Sequence, residues 1–158
     1  MVRDFNNVPD QGADVVLDFS DCPDIRVCAD QGDPNVVVDC ATRSVRAVSG
    51  PDGRATFRVI GCAANVGASP GSIGPSMKVY ASVFLLGSVR VAALDQDGRN
   101  GVNVEDLSLF LRDWLLSGQP LARSDYNGDG RLDPNDLSRW LRAFAAGGST
   151  QSGAASCP

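Results

Sequence analysis

The sequence predicts a chain in two parts: a mainly β sandwich over 1–93 and a small all-α module of two loop–helix units over 94–147. A Gly/Ser-rich tail follows over 148–158. Three observations predict this. In the first part apolar residues alternate in short runs separated by Gly, Pro, Asn and Asp turn signals, the mark of half-buried strands. From Leu94 the apolar period lengthens to about 3.6, the mark of helices. And DQDGRNGVNVEDL from Asp95 is matched thirty residues later by DYNGDGRLDPNDL from Asp125, an internal duplication.

Each element of the first part follows from its pattern. VRDF (2–5) reads as a strand that ends in the loop NNVPDQG. ADVVLDFS (13–20) alternates with Val15, Leu17 and Phe19 on one face. DCPDIRVCADQGDPN (21–35) is polar and cysteine-bracketed and reads as a loop or a stapled excursion. NVVVDC (35–40) and SVRAV (44–48) read as short strands, and SGPDG (49–53) as a turn. RATFRVIG (54–61) alternates again through Ala55, Phe57 and Val59. AANVGASPGSIGPS (63–76) reads as a long loop. The stretch 77–94 reads as a hairpin turning near Leu86-Gly87, with Val79, Val89 and Val91 in the core.

In the second part, Leu107, Phe110, Leu111 and Trp114 fall on one helical face, and Leu137, Trp140, Leu141 and Phe144 on the equivalent face of the other unit. Gly118 and Gly147 are the expected helix stops. The two units superpose residue for residue: Asp95 on Asp125, Gly98 on Gly128, Asp106 on Asp136, Leu107 on Leu137, Ser108 on Ser138, Leu111 on Leu141 and Arg112 on Arg142. Neither helix buries its aromatic stripe alone; two together do.

Composition narrows the function classes. The 158 residues carry a net charge of −5, which gives no electrostatic footprint for nucleic acid. No apolar run approaches the roughly 18 residues of a membrane span. The acid is almost all aspartate, since Glu105 is the only glutamate. Aspartate favours turns, caps and oxygen cages for hard cations. With no histidine in the sequence, Ser-His and Cys-His nucleophile pairs are ruled out. No carboxylate pair stands out beyond the two loops, and the chain reads as no enzyme.

Cys22, Cys28, Cys40, Cys62 and Cys157 form no paired zinc-knuckle spacing. Four lie in the strand-rich part and suit disulfides in an oxidising compartment. The expected pairs are Cys22–Cys28 and Cys40–Cys62, leaving Cys157 as the odd one; buried reduced thiols are the alternative. No signal peptide is read at Met1. The expected location is secreted, extracellular or at the cell surface.

The second loop carries the clearest chemistry. A twelve-residue calcium loop supplies oxygen ligands from positions 1, 3, 5, 7, 9 and 12, with glycine sixth. Here those are Asp125, Asn127, Asp129, the carbonyl of Arg131, Asp133 and Asp136, with Gly130 sixth and Leu132 as the apolar anchor. The first loop offers Asp95, Asp97, the carbonyl of Gly101, Asn103 and Asp106, but has Arg99 fifth and Asn100 sixth. A cation in the fifth position weakens the site. Two readings stay open: a weakened calcium loop, or a metal-free loop in which Arg99 bridges Asp95 and Asp97.

The second loop closes with aspartate where an ordinary EF-hand closes with glutamate, and no clear helix leads into it. In both respects it resembles a type I dockerin repeat, and the resemblance covers 95 to about 146. It implies bound Ca2+ and docking onto a cohesin-like partner. In that family the tenth and eleventh loop positions help to read the partner. Val104-Glu105 and Pro134-Asn135 differ from each other, which argues against two interchangeable docking faces. The first part, through RDFNNVPDQGADVVLDF, SGPDGRATFRV and VYASVFLLGSVRVAAL, resembles bacterial Ig-like domains of the invasin kind. That resemblance implies one more strand before Val2, and hence an open edge.

These readings lead to an expected function: a non-catalytic, extracellular, calcium-binding structural protein. It would assemble with other subunits, copies of itself in the first instance, into a fibre or scaffold by strand complementation. The alternative is a dockerin-type adaptor for a cohesin-like partner. VRVAAL runs straight into DQDG with no linker, so the two parts are expected to pack rigidly.

Overall fold

The computed structural model describes residues 1–63, 76–99, 101–116, 122–146 and 157. Within them the chain is mainly β, with seven strands in two sheets, followed by two helices. The strands are β1 (Asp14–Asp18), β2 (Ile25–Val27), β3 (Val37–Asp39), β4 (Ser44–Val48), β5 (Gly61–Ala63), β6 (Met77–Ala81) and β7 (Phe84–Val89). The helices are α1 (Val104–Leu116) and α2 (Pro134–Ala145), with a 3-10 turn over Ala122–Ser124 between them. The expected loop 63–76, the stops Gly118 and Gly147, Asn100 and all of the tail except Cys157 lie largely or wholly outside the described residues.

Five strands form one antiparallel sheet in the order β3-β4-β1-β6-β7, and β2 pairs with β5 in a second. The expected alternation of 13–20 holds: Val15, Leu17 and Phe19 are buried. Leu17 and Phe19 join Ile25 and Val27 of β2, Val45 of β4, Ala63 of β5, Met77 of β6 and Ala93 in one core. Burying each large apolar side chain there contributes about 1.5–3 kcal/mol. The core thus draws on both sheets and on the segment that leads into the first loop.

Several elements depart from the sequence reading. Residues 2–5 form no strand, only an isolated bridge between Arg3 and Pro9. The Asp4 carboxylate accepts the N–H groups of Asn6 and Val8, each at 2.9 Å, so a local turn takes the backbone away from any ladder. Val2 instead donates to the carbonyl of Gly53 at 2.6 Å. Gly53 has φ +71, and a Cβ there would collide with the Val2 carbonyl oxygen. The expected edge beside the first strand is therefore not where the sheet ends: β1 is central, paired by β4 and β6, and the outer strands are β3 and β7.

Residues 54–60 alternate but pair in no ladder. The Ile60 N–H goes to the Gln31 side chain at 2.6 Å, and its carbonyl accepts Cys28 N–H at 3.0 Å. The stretch read as polar loop, 21–35, contains β2. The hairpin over 77–94 turns at Ser82-Val83, not at Leu86-Gly87. Its register slips between Val79↔Gly87 and Tyr80↔Leu85, so Leu86 is the extra residue of a β-bulge. Gly87 supplies its φ of 159°, and the glycine signal marked a bulge rather than a turn. Val89 is 50% exposed, not core.

The cysteine pairing also differs. Cys40 bonds Cys157, while Cys22, Cys28 and Cys62 remain buried thiols. Pairing by nearness in sequence failed because Cys157 comes back to the sheet: its N–H donates to the Val27 carbonyl at 2.9 Å. No helix among the described residues is long and apolar enough to cross a membrane.

Candidate metal-binding loops

The duplication seen in the sequence recurs in the hydrogen bonds at positions 1, 3 and 12 of the two loops. At position 1, Asp95 Oδ1 accepts Gly98 N–H at 2.6 Å and Asp125 Oδ1 accepts Gly128 N–H at 2.8 Å. The same two oxygens accept Arg99 and Asp129 N–H, both at 3.2 Å. At position 3, Asp97 accepts Arg99 N–H and Asn127 accepts Asp129 N–H, both at 2.7 Å. At position 12, Asp106 accepts the N–H groups of Asp97 and Asn103 at 3.0 and 2.8 Å; Asp136 accepts those of Asn127 and Asp133 at 3.1 and 3.0 Å.

Local chemistry explains why each loop ends in a helix. Asp133 is the N-cap of α2, its side chain accepting Asn135 N–H, with Pro134 at the first helical position and Asp136 closing the capping box. Asn103 does the same for α1, its Oδ1 accepting Glu105 N–H at 2.7 Å. Gly130, sixth in the second loop, takes φ +86 as expected. Ser108 and Ser138, equivalent on the two helices, each return their hydroxyl to the carbonyl four residues back.

Carboxylate oxygens of Asp95, Asp97 and Asp106 lie within 4.8 Å of one another and could hold a metal ion. Asp95 and Asp106 are 2% and 0% exposed. Burial pushes the Asp106 carboxyl up from its ordinary range, against the pull of three backbone N–H bonds. Carboxylates this close repel unless a proton or a cation lies between them. The donor set is all hard oxygen, the chemistry that suits such a cation. Gly101 (φ +72) and Asn103 complete the expected first-loop set. Arg99 is exposed and meets Asp95 and Asp97 through its backbone N–H.

In the second loop the expected ligands are arranged differently. Asn127 donates its side-chain amide to Asp129 at 2.8 Å, so two of them are tied to each other. Asp125 is buried and has Arg90 beside it, with Nη1 3.8 Å from Oδ2. Arg131, Asp133 and Asp136 hold their loop positions, with Asp136 buried and its carboxyl pushed up by that burial. By donor chemistry this loop also fits an oxygen-seeking cation. The carboxylates gathered within 4.8 Å belong to the first loop, since the second has the amide Asn127 where the first has Asp97.

Sequence reasoning missed the groups that join the loops. Gln96, fully buried, donates its amide to the carbonyls of Ala93 and Arg123, to Ser124 Oγ and to Tyr126 Oη. Arg123 forms a two-pronged buried pair with Asp113 of α1, both contacts at 2.8 Å. Tyr126 stacks on Phe110 with centroids 5.6 Å apart. Trp140 of α2, 1% exposed, donates to the Leu94 carbonyl at 3.3 Å. A signal for the first link existed: Gln96 and Tyr126 are both second in their loops.

The loop–helix segment is joined to the preceding part of the chain by further bonds. Ala63 of β5 donates to the Asp95 carbonyl at 2.9 Å, and Ala93 to the Arg123 carbonyl at 3.0 Å. The absence of a linker is thus matched by direct hydrogen bonds across the junction. No family model, curated protein or solved structure matches this chain.

Proposed function

We propose that this protein is a non-catalytic, calcium-binding structural protein of the extracellular space, in which two dockerin-like loops stabilise an assembly module fixed to an Ig-like sandwich. The observation that carries the reading is the repeated hydrogen-bond scaffold of the loops, with Asp95, Asp97 and Asp106 gathered in the first. Calcium is the cation of choice because the donors are carboxylates, an amide and carbonyls, all oxygen. A cation bound to the folded state alone stabilises it in proportion to occupancy. The Cys40–Cys157 disulfide agrees with an oxidising compartment.

The partner proposed is a second copy of this chain, paired through β7. That strand is the outer strand of the larger sheet and all six of its residues are exposed. Phe84, Leu85, Leu86 and Val89 are each at least half exposed, and FLLGSV carries no charge to repel a copy of itself. Uncharged exposed edges offer an unpaired row of N–H and C=O groups to another strand.

Titration calorimetry of chelator-treated protein tests the cation. Calcium is expected to bind and to raise the melting temperature, with magnesium weaker; silence in both measurements at millimolar calcium would sink the reading. Sedimentation with and without calcium tests the partner. Self-association that Leu86→Lys abolishes supports pairing through β7. A strict monomer that instead captures a purified cohesin domain in calcium would favour the adaptor reading.

A further inference from the structure

We infer that Arg90 is a built-in competitor for the cation of the second loop, so that filling this loop releases the end of β7. The inference rests on the calcium reading above and adds its regulation. Arg90 follows directly on β7. Its Nη1 donates to the Gly128 carbonyl at 2.9 Å and stands 3.8 Å from Asp125 Oδ2. A Cβ placed on Gly130 would come within 3.3 Å of the same nitrogen. The guanidinium therefore meets the loop at its first and fourth positions and lies beside its sixth. Asp125 itself is buried, and its two oxygens already accept N–H groups of Gly128, Asp129 and Gly130.

A guanidinium and a divalent cation cannot both be held at one carboxylate without strong repulsion. Arg90, Arg139 and Arg142 also line a cavity of about 370 Å³ together with Asp125, so the positive charge is concentrated at this loop. The first loop, which shares the bonds made at positions 1, 3 and 12, instead has Asp97 and Asp106 gathered against Asp95. The loops differ in two ways: Asn127 stands where the first has Asp97, and Arg90 reaches the second from the end of β7. Loop one fills first. Loop two fills at higher calcium, when the ion displaces Arg90 and frees the C-terminal end of β7 from the module.

Calorimetry on the full chain with calcium chloride tests this. Wild type is expected to show a tight and a weak step. Arg90→Ala is expected to tighten the weak step about tenfold and leave the tight one unchanged. Asp106→Asn should remove the tight step and Asp125→Asn the weak one. Arg90→Gln, which keeps a donor to Gly128 and removes the charge, should also tighten the weak step. Circular dichroism guards against misfolding, and Arg90 is 45% exposed, so the substitutions leave the core intact. Two steps that neither Arg90 variant moves would overturn the role of Arg90 alone. No binding by any of the proteins would overturn the calcium reading itself.

Discussion

Gln96 and Tyr126, second residues of the two loops, are joined to each other: Gln96 Nε2 donates to Tyr126 Oη at 2.8 Å, and that hydroxyl donates onward to the Ala93 carbonyl at 3.2 Å. The duplicated units are therefore not two independent sites side by side. They share a buried polar link whose removal affects both. Tyr126→Phe keeps the ring on Phe110 and deletes the link. A loss of about 1–2 kcal/mol in urea unfolding is expected, together with a smaller calcium-induced gain at both loops. A change below about 0.5 kcal/mol would place the link among ordinary surface contacts.

The Arg123–Asp113 pair predicts an asymmetric response. Both side chains are almost wholly buried, and Ser124 Oγ also donates to Asp113, at 2.8 Å. Asp113→Ala removes the carboxylate paired with a buried guanidinium and is expected to cost about 3–5 kcal/mol. Replacing both partners by apolar residues of similar size is expected to cost much less. Equal losses in the single and double variants, read by denaturant titration, would contradict this.

The thiols predict a count and a pH dependence. Non-reduced protein unfolded in guanidinium should expose three reactive thiols, Cys22, Cys28 and Cys62, and five after reduction. Native protein at neutral pH should react slowly, since burial pushes Cys22 and Cys62 up to about 11 from 9.0. The raised value belongs to the folded state, so the unfolded chain ionises first. The stabilisation is complete below about pH 9 and is lost as pH rises towards about 11. Unfolding titrations at pH 8, 9.5 and 11 on protein carrying Cys22→Ser should show a shallower decline than wild type.

The Cys40–Cys157 disulfide spans a sequence separation of 117. Closing a loop that long restricts the unfolded chain, for a stabilisation of up to roughly 4–5 kcal/mol. Cys40→Ser with Cys157→Ser is expected to lower the urea midpoint accordingly, while reducing agent should leave that double variant unaffected. A wild-type midpoint insensitive to reduction would show that the bond restrains nothing.

The pH dependence of calcium binding follows from Asp106 and Asp136. Burial raises both carboxyls, so protons compete with the ion more strongly than at an ordinary aspartate. Calcium affinity is expected to fall as pH is lowered from 7 towards the carboxylate range, with proton release detectable by calorimetry in buffers of different ionisation heat. Affinity that is flat across that range would remove both residues from the ligand set.

The sequence by itself determined the features whose causes are local. The two loop–helix units, their thirty-residue offset, the caps at Asn103 and Asp133, the turn at Gly130 and the buried face of β1 all follow from side chains acting on backbone a few residues away. Tertiary structure decided the rest, because the causes sit far apart in the chain. It paired Cys40 with Cys157, made β1 central by placing β4 and β6 on either side, and turned the Leu86-Gly87 signal into a bulge. It also set an arginine beside the second loop. Ligand spacing favours the second, but Arg90 arrives there from the sheet 35 residues upstream of Asp125, and electrostatics depends on distance in space, not along the chain.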